Sequence, residues 1–471
     1  MHVTRYRYVN RMKLIAQGIV LLGVLSVAVV GALQLDQVRE FFSKASGEPA
    51  NIIVAADRVL GPMPRPWRNL AQGGEDHAWR IGGLIPQVKA LRPTYIRIDH
   101  IYDFYDIVGG TPGNLTFNFS KLDLVIDDIL AVGAKPYIAL SYMPPVIASG
   151  DIVSPPKSYS DWQLVIQKTI EHISGTRGIT NVYYEVWNEP DLFGDWKYYG
   201  DRNYITLYDY AAKGAQNARG VQAFKFGGPG ITALYKNWFI ALADHATKTG
   251  TRLDFFSWHR YNHDIDQYKK DMTDARTWLS DYPSLAGTLE LHITEWGHDS
   301  ENDPGYDTNY GAAHAVAGAI EMVGIVERAF VFEIQDGKDP NGQAKWGRWG
   351  LFTHNDHGAV AKPRYNGLRL LDKIGTQRVQ LLGKGSWVKG LAAKNDDGQI
   401  QIVLSNFDKS GSHSENVPIT ISGMPTGSYT ITKEFHTGAV QSGTVAISES
   451  QIKTTVSLAP NTVVLITFKK M

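Results

Sequence analysis

From about residue 51 to about residue 375, short β-branched and aromatic runs alternate with longer stretches whose apolar residues recur at helical spacing. The short runs predict strands at Asn51–Ala56, Thr94–Ile98, Lys135–Ser141, Asn181–Trp187, Phe224–Pro229, Leu253–His259, Thr288–Thr294 and Arg328–Ile334. They read as buried on both faces, as parallel strands are. Between them, segments such as Asp161–Ile173 and Tyr204–Ala218 predict helices. Such alternation fits a closed (β/α)8 TIM barrel or a doubly wound open sheet. A dinucleotide-binding sheet would want a glycine-rich turn after its first strand, and Asp57-Arg58-Val59-Leu60 is not one. The expectation is therefore an α/β chain with a (β/α)8 barrel over residues 50–375. After about Thr376 helical spacing disappears. Runs such as Gln399–Leu404, Val417–Ile421, Ser428–Lys433 and Val463–Phe468, punctuated by Gly, Asn and Ser, predict an antiparallel β-sandwich over residues 376–471. It carries no cluster legible as chemistry; support is the commoner role, and carbohydrate contact stays open.

The first residues carry an address. Arg5, Arg7, Arg11 and Lys13 precede an uncharged apolar run from Leu14 to Leu33. As a helix that run reaches roughly 30 Å, the thickness of a hydrocarbon core. The basic flank would stay cytoplasmic, so residues after Gln34 would lie across the membrane. Residues 1–34 thus read as a signal anchor or signal peptide and residues 35–49 as a polar tether. The length of the run favours an uncleaved inner-membrane anchor facing the periplasm or cell exterior. Small residues at Val30-Gly31-Ala32 keep cleavage and secretion open.

Composition narrows the partners. Lys+Arg and Asp+Glu both number 47, which removes the electrostatic case for nucleic acid. With no cysteine there is no disulfide, thiolate metal site or cysteine nucleophile. The 12 Trp and 23 Tyr are many, and although most aromatic rings fill cores, flat apolar rings also suit sugar faces.

Two segments carry candidate chemistry. Tyr183-Tyr184-Glu185-Val186-Trp187-Asn188-Glu189-Pro190 ends the fourth expected strand in a carboxylate beside an amide. Leu291-His292-Ile293-Thr294-Glu295-Trp296-Gly297 ends the seventh in another. Cleaving a glycosidic bond with retention needs two carboxyl groups about 5 Å apart, one protonated and one ionised. In a barrel they belong at the C-terminal ends of strands. A lone Asn-Glu-Pro is usually a turn with a solvated Glu. Two strand-end carboxylates in this register weaken that reading. A metal-dependent hydrolase would need a ligand cluster, and His259, His263 and Asp264 crowd one strand end. The expectation is that no metal and no cofactor take part.

Trp-Asn-Glu-Pro closing one strand and Thr-Glu-Trp closing the third strand after it resemble clan A glycoside hydrolases. Met143-Pro144-Pro145-Val146-Ile147-Ala148-Ser149, Gly227-Gly228-Pro229 and Asp254-Phe255-Phe256-Ser257-Trp258-His259-Arg260-Tyr261 are similar to motifs of glycoside hydrolase family 39. Asp307-Thr308-Asn309-Tyr310-Gly311-Ala312-Ala313, Gly350-Leu351 and Lys362-Pro363 extend the resemblance over about residues 50–375. The family includes xylosidases, an iduronidase and membrane-tethered exopolysaccharide endoglycosidases, and the apolar N-terminal run favours the last group.

The resemblance implies that Glu189 is the acid/base and Glu295 the nucleophile of a retaining glycosidase acting on a polysaccharide or oligosaccharide. It implies that Asn188 holds the sugar 2-hydroxyl, that Tyr261 hydrogen-bonds the nucleophile and that His259 lines the reacting subsite. His259 and Tyr261 share one strand face by period two. Arg97, ending the second expected strand, would keep Glu295 ionised. Trp296 and Phe332 are further candidate sugar contacts. Two departures concern the substrate. Arg97 is followed by Ile98-Asp99-His100 where several members have Arg-x-His, and Phe332 stands where many have a Trp. A catalytically inactive, membrane-tethered polysaccharide-binding protein is the competing reading, against which stand the intact Asn188, Glu189 and Glu295.

Overall fold

The computed structural model describes residues 47–471 apart from 75, 78, 344 and 345. The expected anchor at residues 1–34 and most of the tether at 35–49 lie outside the described residues. Among the described residues no helix is long and apolar enough to cross a membrane.

The strands in chain order are β1 (Ile52–Pro62), β2 (Asn69–Gln72), β3 (Tyr95–Ile98), β4 (Val108–Thr111), β5 (Asn114–Phe117), β6 (Lys135–Leu140) and β7 (Val182–Val186). They continue as β8 (Phe224–Ile231), β9 (Phe255–Tyr261), β10 (Glu290–Gly297) and β11 (Arg328–Phe332). The C-terminal strands are β12 (Gln377–Leu382), β13 (Val388–Lys394), β14 (Ile400–Asn406), β15 (Glu415–Ser422), β16 (Gly427–Phe435), β17 (Val440–Ile447), β18 (Gln451–Leu458) and β19 (Thr462–Lys470).

Eight parallel strands close a barrel in the order β2-β3-β6-β7-β8-β9-β10-β11, with β11 pairing back to β2. Strand β4 pairs with β5 in a hairpin outside it. The barrel interior is filled rather than open. Tyr137 stacks on Tyr183 with ring centres 5.2 Å apart, and Phe255, Phe330 and His292 pack around them. This aromatic plug is the floor on which the mouth of the barrel stands.

The first expected barrel strand is corrected by the pairing. Residues 52–62 form a strand, but it pairs antiparallel with β12 and parallel with β15 in the C-terminal sheet. The barrel begins instead at β2, whose Asn-Leu-Ala-Gln carries no β-branched residue and gives little strand signal. Burial explains the difference: Ile52 and Val54 are buried while Ile53 is 44% exposed, the alternation of a strand covered on one face. All four residues of β2 are buried, as a barrel strand requires.

The C-terminal unit is a single nine-stranded sheet, ordered β17-β16-β19-β14-β13-β12-β1-β15-β18. One apolar cluster draws residues from both halves, including Ile402, Ile466, Ile419 and Val456, so the sheet curls around one core. The opposite face of β14 and β19, with Val403, Val463 and Leu465, joins the barrel's own core. Between barrel and sheet lies the helix Asn309–Met322, where small residues (Gly311, Ala312, Ala313, Ala315, Ala317, Gly318, Ala319) are buried all round. A helix apolar on every side is one covered on every side.

Candidate active site

Period two aims alternate side chains of each barrel strand inward. On β3 these are Tyr95 and Arg97, on β7 Tyr183 and Glu185, on β9 Phe255 and Tyr261 with His259 between them. Tyrosine and phenylalanine form the plug, and the next inward residues place charge above it.

Strand β10 departs from the rule. Ile293 pairs with Trp258 and Glu295 with the very next residue, His259, so Thr294 is an extra residue and the strand carries a β-bulge. Without it, period two from His292 would turn Thr294 inward and Glu295 away from the axis. At the end of β7, Trp187 (φ 78°) and Glu189 (φ 47°) are both left-handed, a conformation that costs a side-chained residue about 1–3 kcal/mol. The turn is fastened by Glu189 N–H donating to Gly230 O at 2.8 Å.

The four strand ends converge on one network. Arg97, fully buried, donates from Nε to Glu185 Oε2 (2.8 Å), from Nη1 to Glu295 Oε1 (2.8 Å) and from Nη2 to Asn188 Oδ1 (2.7 Å). Tyr261 Oη donates to Glu295 Oε2 at 2.8 Å. His259 Nδ1 donates to Glu189 Oε1 at 2.8 Å and lies 3.3 Å from Glu295 Oε2. Asn188 Nδ2 donates to Tyr142 Oη at 3.0 Å, so both ends of its amide are held. A ligand atom from each of Glu189, His259 and Glu295 lies within 4.8 Å of the others.

Burial pushes the Glu295 carboxyl up to about 7, with Glu189 and Asp99 adding to the rise and His259 and Arg97 opposing it. Burial alone would lower His259, but Glu295 and Glu189 outweigh it and hold the imidazole above its ordinary value.

Above the network opens a cavity of about 540 Å³, lined among others by Asn188, Glu189, Glu295, Tyr261 and Phe332. Leu192, Phe193 and Tyr235 form an exposed apolar lip on the Glu189 side. Arg97 and His259 sit behind the cavity wall with no exposed surface. Trp296 is not brought to the site. The bulge that turns Glu295 inward turns Trp296 outward, where it packs edge-on against Tyr268 (5.5 Å) and near His314 (6.3 Å). Sequence reasoning also passed over Glu185, Asp99 and Tyr142. Period two from Tyr183 would have flagged Glu185, whereas Tyr142 beside Asn188 is a contact between separate strands with no local signal.

Glu189, His259 and Glu295 are the grouping among the described residues whose ligand atoms could surround a metal ion. Arg97 already places a fixed cation 2.8 Å from Glu295, so this donor set does not need one. His263 bonds Tyr310 and Asp299, and Asp264 pairs with Lys409, so neither joins His259.

Two close carboxylates at the C-terminal mouth of a parallel barrel, held by arginine, histidine and tyrosine beneath an open cavity, are the equipment of a glycosidase. The sequence profile of Glycosyl hydrolases family 39 matches residues 52–435, and the chain belongs to that family. A β-xylosidase of Caldicellulosiruptor saccharolyticus is 30% identical over 354 residues, covering 66% of this chain and 68% of that protein. A β-xylosidase of Geobacillus stearothermophilus is 24% identical over 323 residues, and the match spans 62% of its length and 62% of this chain. Among solved structures, a family 39 enzyme of Xanthomonas axonopodis pv. citri superposes with a TM-score of 0.76 at 19% identity, covering 90% of this chain and 98% of that one. A monomeric β-xylosidase of Caulobacter crescentus CB15 gives 0.75 at 20% identity, covering 90% and 100%. At these identities the structural likeness speaks for the fold. The chain is a glycosidase.

Proposed function

We propose that the enzyme hydrolyses O-glycosidic bonds of an oligosaccharide or polysaccharide with retention, by double displacement. The observation that carries this reading is the separation of Glu189 and Glu295, one oxygen of each lying within 4.8 Å of the other. Retaining enzymes hold their carboxyl groups about 5–5.5 Å apart, whereas inverting ones leave about 6.5–9.5 Å for a water. In the first step Glu189 gives its proton to the leaving oxygen while Glu295 attacks the anomeric carbon. In the second, Glu189 takes a proton from water, which releases the sugar from Glu295. Arg97 and Tyr261 each donate to one oxygen of Glu295, fixing its carboxylate for attack. Asn188, held by Arg97 and Tyr142, faces the cavity beside Glu189 and is placed to hold the 2-hydroxyl.

The names of the relatives favour a β-xyloside as the first substrate to try. The basic flank and the apolar run of residues 14–33 favour instead an exopolysaccharide met outside the inner membrane, the enzyme being anchored there or secreted. Mass spectrometry of digests of both substrate classes separates these, and carbonate-washed membranes retain the chain if the anchor is uncleaved. The intact, hydrogen-bonded Asn188, Glu189 and Glu295 favour turnover over a binding role alone.

Proton NMR of the first-formed product should show the substrate's own anomeric configuration. Initial inversion would remove the nucleophile role of Glu295. In a Glu189→Ala variant, azide should restore turnover of a dinitrophenyl glycoside as a glycosyl azide of retained configuration, since azide needs no base. Rescue of Glu295→Ala with retention instead would reverse the two roles.

A further inference from the structure

Glu185 has no part in the double displacement, yet it is a fully buried carboxylate at the centre of the network. Its Oε2 accepts from Arg97 Nε at 2.8 Å, and its Oε1 is buried without a hydrogen-bond partner among the described residues. Gly230 (φ 61°) packs beside it, where a Cβ would sit only 3.1 Å from the Glu185 carboxyl, so a side chain at that position would crowd the acid. Arg97 is thus shared by two carboxylates at equal distance, Glu185 on one side and Glu295 on the other, with Asp99 farther off at 3.9 Å. Two anions on one cation each receive less of its charge than one would.

We infer that Glu185 is a positioning residue that divides the charge of Arg97, and that this division leaves the Glu295 carboxylate basic enough to act at neutral pH. The inference rests on the reading of Glu295 as nucleophile. A nucleophile monopolised by a buried guanidinium would ionise at lower pH and attack less readily. The groups facing Glu295 are Arg97 and Asp99 from β3 and its end, Tyr142 beyond β6, Glu189 beyond β7, and His259 and Tyr261 from β9. From β11 the cavity wall offers only the ring of Phe332. Of these, Arg97 is the one that Glu185 touches. Burial opposes its ionisation, and among the carboxylates that restore it Glu185 leads, ahead of Glu295.

The alternative is that Glu185 merely neutralises a buried arginine, a role that affects stability alone. Titration separates the two. In the full chain labelled with ¹³C at glutamate carboxyls, the Glu295 signal is identified by its loss in Glu295→Gln. Replacing Glu185→Gln should lower the Glu295 midpoint by about one pH unit or more. Glu185→Asp, which keeps the charge but withdraws it by a methylene, should lower it less, and it carries the test if the glutamine variant does not fold. A midpoint unmoved or raised in whichever variant folds overturns the inference. The nucleophile reading is tested apart from it. A dinitrophenyl 2-deoxy-2-fluoro glycoside of whichever sugar the enzyme turns over should label Glu295 in the unaltered enzyme, and label on another residue sinks that reading while the titration still decides the coupling.

Discussion

Along β14 the alternation is unbroken. Ile402 and Leu404 face the core of the curled sheet, Val403 faces the barrel side, and Ser405 Oγ donates to Ala313 O of the intervening helix at 2.9 Å. The strand pairs with β13 and β19 residue for residue without a shift. Along β10 the alternation fails at Thr294, and the register slips against both β9 and β11. The barrel mouth also holds two left-handed non-glycine residues around Asn188, and buries Glu185 Oε1, His259 Nε2 and Thr294 Oγ1 without partners among the described residues. β14 keeps its alternation and register from end to end, and the barrel mouth breaks several local rules within a few residues. Such departures concentrate where stability is given up for function. The sheet supplies burial that the mouth cannot, which explains why a domain without legible chemistry is packed so closely on the catalytic one.

Substitutions at matched depth in the two regions should separate activity from stability. The largest effect is expected for His259→Ala. The imidazole bridges the two carboxylates, and without it Glu189 loses its donor and the two acids face each other across a void. Misplacing an acid/base by about 1 Å lowers turnover on the order of 10²-fold. We expect that loss in kcat, with KM changed much less. A kcat within about twofold of the native value would make His259 a packing residue. In the sheet, Ile402→Ala should do the opposite. It empties a site buried completely between neighbours Ala392 and Ile466. Such truncations cost about 2–5 kcal/mol of stability. Urea unfolding should register that loss while kcat/KM at 25 °C stays within about twofold. A parallel fall in kcat/KM would mean that the sheet positions the mouth rather than only supporting it.

The same contrast governs what could be read from the sequence. Seven of the eight barrel strands were legible because both-face burial writes continuous apolar runs, as in Tyr-Ile-Arg-Ile of β3 and Phe-Phe-Ser-Trp-His of β9. The failure was at the start. β1 carries Ile-Ile-Val and looks like a buried strand, while β2 carries Asn-Leu-Ala-Gln and looks like a loop. Which sheet a strand joins depends on distant partners, here β12 and β15 more than 300 residues away, and no local pattern encodes that. The curled sheet was legible as short β runs but not as one continuous sheet containing a parallel pair. Around the site, motif and strand-end position found Arg97, Asn188, Glu189, His259, Tyr261 and Glu295, which the structure brings together. Trp296 was read as a candidate sugar contact, and the bulge that turns Glu295 inward turns it away from the cavity.

Trp296 offers the smallest effect and the sharpest test of the bulge. Its ring is buried between barrel and helices, edge-on to Tyr268, and its Nε1 has no hydrogen-bond partner among the described residues. Replacing Trp296→Phe removes ring area but also a buried, unsatisfied donor. These terms oppose each other, so the net loss of stability should stay below about 1.5 kcal/mol. Gly318 on the helix Asn309–Met322 faces the same ring, and a Cβ there would lie 3.2 Å from Trp296 Cζ3 and 3.1 Å from Tyr268 Cε2. Gly318→Ala should therefore be more destabilising in the native background than in the Trp296→Phe background, and a double-mutant cycle on urea midpoints measures that coupling. KM for every glycoside should be unchanged in Trp296→Phe, because the ring lies on the far side of the strand from the cavity. A raised KM without coupling to Gly318 would place Trp296 against the sugar, and the geometry assigned to the β10 bulge would be wrong.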